Sequence, residues 1–370
     1  MRIAINCRSF LKQHYAGIGR YGYNLVKNLA AIDRENQYLL YVKKRLFDSR
    51  RVTPHFDAGN FSVKRDFFNR GLARTLGAVD IYHSLSPDFL DIDCERIIVT
   101  IHDLIYKAYP QGHTQETLDL SERYFQDILQ KAKKIICPSQ HTLDDFLKYF
   151  PVDRNKVCRI YSGVDKNEFY PLEPQERVIA EKVIAAKGIK EPFILFVGTI
   201  EPRKNLKNLV HAYIQLRKRK QFYGKLVVVG MKGWMNDEAS DLIEQGGFKN
   251  DIILLGYLTN QELCYCYNLA EVFVFPSFYE GFGFPILEAF SCGAAVVTSN
   301  RSSCGEIAGN GAAIINPDDP AMIADMVARM INDKHFKEDF RQKGLKRAEE
   351  FSFLKTARET LRVYEEIYRS

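Results

Sequence analysis

Short apolar runs alternate with stretches of helical periodicity in two successive rounds along the chain. In the first round Arg2 to Asn6, Tyr38 to Val42, Asp80 to His83, Arg96 to Ile101 and Lys134 to Cys137 read as strands, with helices such as Tyr21 to Ala31 and Gln115 to Lys131 between them. In the second, the strands are Phe193 to Val197, Lys225 to Val229, Ile252 to Leu255, Val272 to Phe275, Ala295 to Thr298 and Ala312 to Ile315. Regular alternation of this kind predicts an α/β protein with parallel sheets wound by helices on both faces, and two rounds predict two such domains. Tyr170-Pro-Leu-Glu-Pro174 carries two prolines and marks the linker, so the domains are read as residues 1–170 and 171–352. A charged helical tail follows, with Ser352 placed to cap it.

Composition agrees with two cores: 370 residues, 46% of them hydrophobic, exceed what one core usually holds. No apolar run approaches 18 residues, and Met1-Arg-Ile-Ala-Ile-Asn6 reads as a strand, so a cytoplasmic protein without a membrane span is expected. The eight cysteines form no disulfide-dense pattern. Cys264-Tyr-Cys266 has one intervening residue where zinc sites usually have two or more, so no metal site is expected. The net charge of +6 is unevenly spread. Lys43, Lys44, Arg45, Arg50, Arg51, Lys64, Arg65, Arg70 and Arg74 cluster near Phe67 and Phe68. Such a segment suits an anionic membrane surface or a lipid-diphosphate acceptor, the alternative being a solvated face. No nucleic-acid module accompanies it, so no nucleic-acid partner is expected.

Parallel sheets bind ligands beyond the carboxyl ends of their strands. After the strand Val272 to Phe275 comes Pro276-Ser-Phe-Tyr-Glu-Gly-Phe-Gly-Phe-Pro-Ile-Leu-Glu288, a glycine turn that opens a helix with Pro285 in its first turn. Gly281 and Gly283 permit positive φ and let a ligand approach the backbone, while the N–H groups of the helix start, about Phe284, favour an anion. Glu280 and Glu288 flank that anion site, Glu288 leaning back toward it along the helix. A carboxylate repels phosphate, so their expected partners are hydroxyls of a sugar and of a ribose. After Phe193 to Val197 comes Gly198-Thr-Ile-Glu-Pro-Arg-Lys-Asn205, in which Arg203 offers a planar fork and Lys204 a point charge to neutralise a departing diphosphate.

Glu280-GFGFPIL-Glu288, followed by Ala289-Phe-Ser-Cys-Gly-Ala-Ala-Val-Val297, resembles the donor-site signature of retaining glycosyltransferases of GT-B fold, in the glycogen-synthase-like group that includes glycosyltransferase family 4. The resemblance covers nearly the whole chain and is strongest from Pro192 to Asp318. It implies two Rossmann-like domains facing a cleft, a final helix (about 353–370) crossing back onto the first domain, and a nucleotide-sugar co-substrate without a required metal. It assigns His102 to the donor sugar, the backbone at Gly17 and Gly19 to donor phosphate and acceptor, and the backbone at Tyr257 and Leu258 to the nucleobase. Thr199 stands where many members carry an arginine, which leaves Lys204 the firmer of the two phosphate contacts. The GTIEPRKN run is similar to that of transferases using GDP-mannose in surface-polysaccharide assembly, with UDP-sugars the alternative. Asp103 orients His102 or caps a turn, Ser139 caps a helix or meets ligand, and Ser162-Gly163-Val164-Asp165 reads as structural.

Two other classes fit less well. Gly17-Ile-Gly-Arg-Tyr-Gly22 matches the dinucleotide fingerprint literally, but Arg8 to Ala16 separate it from the first strand, and no acid ends the second strand. A nucleotide-sugar epimerase would also present acids to a nucleotide sugar, with less use for Arg203 and Lys204.

Overall fold

The computed structural model describes residues 1–10, 17–43, 55–190, 192–231, 233, 237–245 and 247–370. The chain divides into two compact units, Met1–Gly163 with Ser352–Ser370, and Val164–Phe351.

The first unit is built on a sheet of seven parallel strands: β1 (Arg2–Asn6), β2 (Gln37–Lys43), β3 (Phe61–Asp66), β4 (Ile81–Ser84), β5 (Ile97–Thr100), β6 (Ala132–Cys137) and β7 (Val157–Arg159), in the order β3-β2-β1-β4-β5-β6-β7. The second has six parallel strands: β8 (Phe193–Val197), β9 (Lys225–Val229), β10 (Ile252–Gly256), β11 (Val272–Phe275), β12 (Val296–Ser299) and β13 (Ala313–Ile315), ordered β10-β9-β8-β11-β12-β13. Central strands are apolar throughout because helices cover both faces, and β8 and β11 have every residue buried. Ile194, Phe196, Val228 and Val274 pack with Leu209, Tyr213 and Val327 in the second core. Full burial of such a side chain contributes roughly 2 kcal/mol.

The two strands that periodicity does not reveal are the edges of the first sheet. Phe61-Ser-Val-Lys-Arg-Asp66 is mostly half-exposed and carries Lys64 and Arg65, and β7 has three residues, so neither shows an apolar run. Helix Gly17–Ile32 starts four residues earlier than the apolar pattern suggests. Gly17 and Gly19 therefore form its first turn rather than a loop between strand and helix, a position where N–H groups need no helical partner.

Helix Phe353–Arg369 belongs to the first unit, capped by Ser352, whose Oγ accepts from the Lys355 N–H at 3.2 Å. Phe353, Thr356, Ala357, Thr360, Val363, Tyr364 and Ile367 are its buried residues, one stripe at helical spacing, and it packs on helix Gly17–Ile32. Among the described residues no helix is long and apolar enough to cross a membrane.

Candidate active site

Strand order in the second sheet reverses between β8 and β11, and the loops leaving their carboxyl ends lie side by side in the crevice this creates. The Phe278 N–H donates to Arg203 O at 2.8 Å. Asn205, in the left-handed region at φ 60°, donates from Nδ2 to Pro276 O at 3.1 Å and Pro317 O at 2.7 Å. Pro202–Lys204 thus form a short 3-10 turn clamped against the glutamate loop.

That clamp assembles four charges. Lys204 Nζ donates to Glu280 Oε1 at 2.5 Å and lies 5.0 Å from the centroid of the Phe275 ring. Arg203 donates from one Nη to Glu280 Oε2 and Tyr279 O, each at 3.1 Å, while its other Nη meets Glu201 Oε1 at 2.5 Å. Glu201, Lys204 and Glu280 are all buried. Burial pushes the Glu280 carboxyl up, but Lys204 and Arg203 together outweigh it and hold the group below the usual carboxylate range. The expected separate duties, cations for phosphate and Glu280 for hydroxyls, are therefore joined in one ion-pair network. Unmatched charges in so buried a place cost several kcal/mol, so the fold balances two cations with two carboxylates. Glu201 is the member that sequence reasoning missed. Its signal was its position two residues before Arg203, inside the same loop.

The backbone of the glutamate loop is fixed from the next strand end. Ser302 Oγ accepts from the Glu280 N–H at 2.9 Å, and Ser303 Oγ donates to the carbonyls of Glu280 and Phe282, both at 2.8 Å. Of the two glycines, Gly283 is the one at positive φ (110°), and helix Phe284–Ser291 starts directly after it with Pro285 in the first turn. Phe282 is buried and meets Phe284 and Phe351 edge-on, at ring distances of 5.0 and 6.2 Å. Glu288 is only 2% exposed, and its Oε2 accepts from Tyr267 Oη at 3.0 Å, so it is set into the helix packing rather than leaning freely over the turn. Tyr267 had no sequence signal beyond lying in an apolar helix.

At the neighbouring strand ends, Gly198 and Gly230 meet back to back. A Cβ on Gly230 would lie 2.0 Å from Gly198 O, and the Gly230 N–H donates to Gly256 O at 2.8 Å. Tyr257 then turns outward, about half exposed, and Leu258 inward.

In the first unit, His102 follows β5 and is buried, its Nε2 2.8 Å from Leu85 O and its ring edge-on to Tyr21 at 4.8 Å. Burial pushes its pKa down. Asp103 accepts from the Ile105 N–H at 3.1 Å, and Ser139 accepts from the Thr142 N–H at 3.0 Å, so both cap turns. Unforeseen is the fully buried His83, hydrogen-bonded to Tyr364 Oη at 2.7 Å and Thr100 Oγ1 at 2.9 Å. Thr100 lies 3.4 Å from Tyr21 Oη, so a polar ladder runs from the final helix to the ring beside His102.

Lys44, Arg45, Arg50 and Arg51 of the basic segment lie outside the described residues. Lys64 and Arg65 are on β3, and Phe68, 68% exposed, has the Arg70 guanidinium 5.2 Å from its ring centroid. Among the described residues no cluster of three or more His, Cys, Asp or Glu is placed to hold a metal ion.

Two parallel doubly wound units, the second with a charged clamp at its switch point, define the GT-B class of glycosyltransferases. Residues 15–168 match the family model described as Glycosyltransferase Family 4, and residues 180–347 that described as Glycosyl transferases group 1. O-antigen chain mannosyltransferase B of Escherichia coli is 30% identical over 382 residues, spanning 96% of this chain and 97% of its own. Sucrose-phosphate synthase from Thermosynechococcus elongatus superimposes with a TM-score of 0.78 at 19% identity, covering 100% of this chain and 99% of its own. HepE of Anabaena, in complex with UDP and glucose, does so with a TM-score of 0.73 at 15% identity, covering 99% of this chain and 100% of its own. The chain belongs to the group 1, family 4 glycosyltransferases, and it is a glycosyltransferase enzyme.

Proposed function

We propose that the protein moves a mannosyl group from GDP-mannose to a glycan or lipid-diphosphate-linked acceptor in surface-polysaccharide or lipopolysaccharide assembly, with retention of anomeric configuration. The observation that carries the donor reading is Arg203 and Lys204 held against Glu280 at the switch point. A nucleoside diphosphate entering there takes over donors from Arg203 and Lys204, and the helix N-terminus at Gly283 to Pro285 adds to them. These groups offset the charge of the leaving diphosphate, so no divalent metal is required, and excess EDTA should leave the rate unchanged. The carboxylate released from part of its ion pairing then meets sugar hydroxyls. Glu288 takes the ribose and His102 the donor sugar. With Glu280 occupied by its remaining ion pairing and the sugar hydroxyls, the arrangement supports front-face transfer, in which the leaving phosphate oxygen accepts the acceptor hydroxyl proton, over a carboxylate nucleophile.

The name of the E. coli mannosyltransferase supports the choice of mannose; the HepE complex makes a UDP-sugar the alternative. Hydrolysis of a panel of GDP-, UDP- and ADP-sugars tests both. Faster turnover of a UDP-sugar than of GDP-mannose overturns the mannose reading.

The exposed Phe68 with the Arg70 guanidinium over its ring, and the neighbouring basic strand residues Lys64 and Arg65 in sequence, support peripheral docking on the anionic, cytoplasmic face of a membrane. Failure to bind anionic vesicles at low salt rejects it.

A further inference from the structure

We propose that Tyr267 is a positioning residue for nucleotide recognition, aiming the Glu288 carboxylate at the ribose hydroxyls; this rests on the reading of Glu288 as the ribose contact. Tyr267 lies on helix Asn260–Leu269, which packs against helix Phe284–Ser291 carrying Glu288. Its side chain is fully buried. Phe273 meets its ring edge-on at 5.2 Å and 86°, and Phe169 at 6.1 Å and 70°. The ring cannot swing, so the hydroxyl that donates to Glu288 Oε2 at 3.0 Å is a fixed point.

A glutamate side chain has three torsions, and a carboxylate that must meet a vicinal diol gains from having one oxygen held in advance. The same pair of helices is also joined by Cys264 and Cys292, whose Sγ atoms are 3.8 Å apart. Cys264 lies one turn before Tyr267 and Cys292 one turn after Glu288, so apolar packing and a thiol contact already hold the helices together. A buried carboxyl group is a costly way to join two helices, which points to a use beyond the joint.

The test is Tyr267→Phe, which keeps the ring and removes only the hydroxyl. Binding of GDP, 2′-deoxy-GDP and 3′-deoxy-GDP is measured by calorimetry, with the UDP series substituted if UDP is the diphosphate that raises Tm. The wild type should prefer the ribonucleotide over at least one deoxy form. In Tyr267→Phe that preference should largely vanish, with the diphosphate bound roughly tenfold more weakly, donor KM raised and kcat little changed. In a Glu288→Gln background, adding Tyr267→Phe should change the preference no further. A variant that retains the wild-type preference, or does not fold, assigns the hydroxyl to the fold and overturns the proposal. A wild type with no preference between ribose and deoxyribose instead removes the ribose reading of Glu288, and the proposal with it.

Discussion

Lys204 and Glu280, 76 residues apart in sequence, form a buried ion pair with Nζ and Oε1 at 2.5 Å. Removing one partner leaves the other charged in a place water barely reaches. Lys204→Met should therefore lower unfolding stability by about 3 kcal/mol, and the double variant Lys204→Met with Glu280→Leu should recover most of it. Both should be inactive. Urea denaturation beside a donor-hydrolysis assay checks this; a stable, active Lys204→Met would show that the pair serves neither purpose.

Arg203 spans Glu201, Glu280 and the Tyr279 carbonyl with its planar fork. Lysine keeps the charge but places it on a single nitrogen, which cannot reach the acceptors that the two Nη atoms meet at separate ends of the fork. Arg203→Lys should lower kcat about a hundredfold, the magnitude typical of losing one preorganised donor, while Tm moves by only a few degrees. Wild-type turnover in Arg203→Lys would exclude the diphosphate role.

The Gly230 position tests the loop's backbone. Alanine there places a Cβ 2.0 Å from Gly198 O, and neither atom is the end of a flexible side chain. The strand ends must part, moving the loop that carries Arg203 and Lys204. Gly230→Ala should cost roughly 3 kcal/mol or more and raise donor KM; circular dichroism melts with initial-rate kinetics give both numbers.

His83 gives the first unit an acid limit. Burial, with His102 nearby adding to it, holds its pKa down to about 3, against 6.5 for an ordinary histidine. Between those values the unfolded chain takes up a proton that the folded one refuses. This contribution to stability is complete above pH 6.5 and falls as pH drops toward 3, by about 2 kcal/mol at pH 5. His83→Gln should flatten Tm against pH between 7 and 5. An unchanged slope would place the acid sensitivity elsewhere.

His102→Ala should reduce turnover at least tenfold with the melting temperature nearly held. Unchanged turnover and donor affinity would leave His102 the part its bond to Leu85 O already gives it, a brace between two strand ends.

The interior strands were legible because burial on both faces writes itself as uninterrupted Val, Ile and Phe, and Phe193–Val197 and Val272–Phe275 were placed to the residue. Edge strands β3 and β7 were not, since half of such a strand faces solvent and carries the charges that keep other chains away. The loops bearing Arg203 and Glu280 were findable because ligand sites follow strand ends. What sequence left open was who pairs with whom. Glu201, Ser302 and Ser303 act through contacts set by strand order, and Tyr267 and His83 look like any core residue until the helices that meet them are in place.

The helix Phe353–Arg369 also bears on biosynthesis. It completes the first unit, with Tyr364 reaching His83, yet it is translated after every residue of the second. On the ribosome the first sheet therefore waits with one side of helix Gly17–Ile32 uncovered while Val164–Phe351 emerges, and the unit made earliest is finished last. Chaperone demand during synthesis should concentrate on that waiting surface.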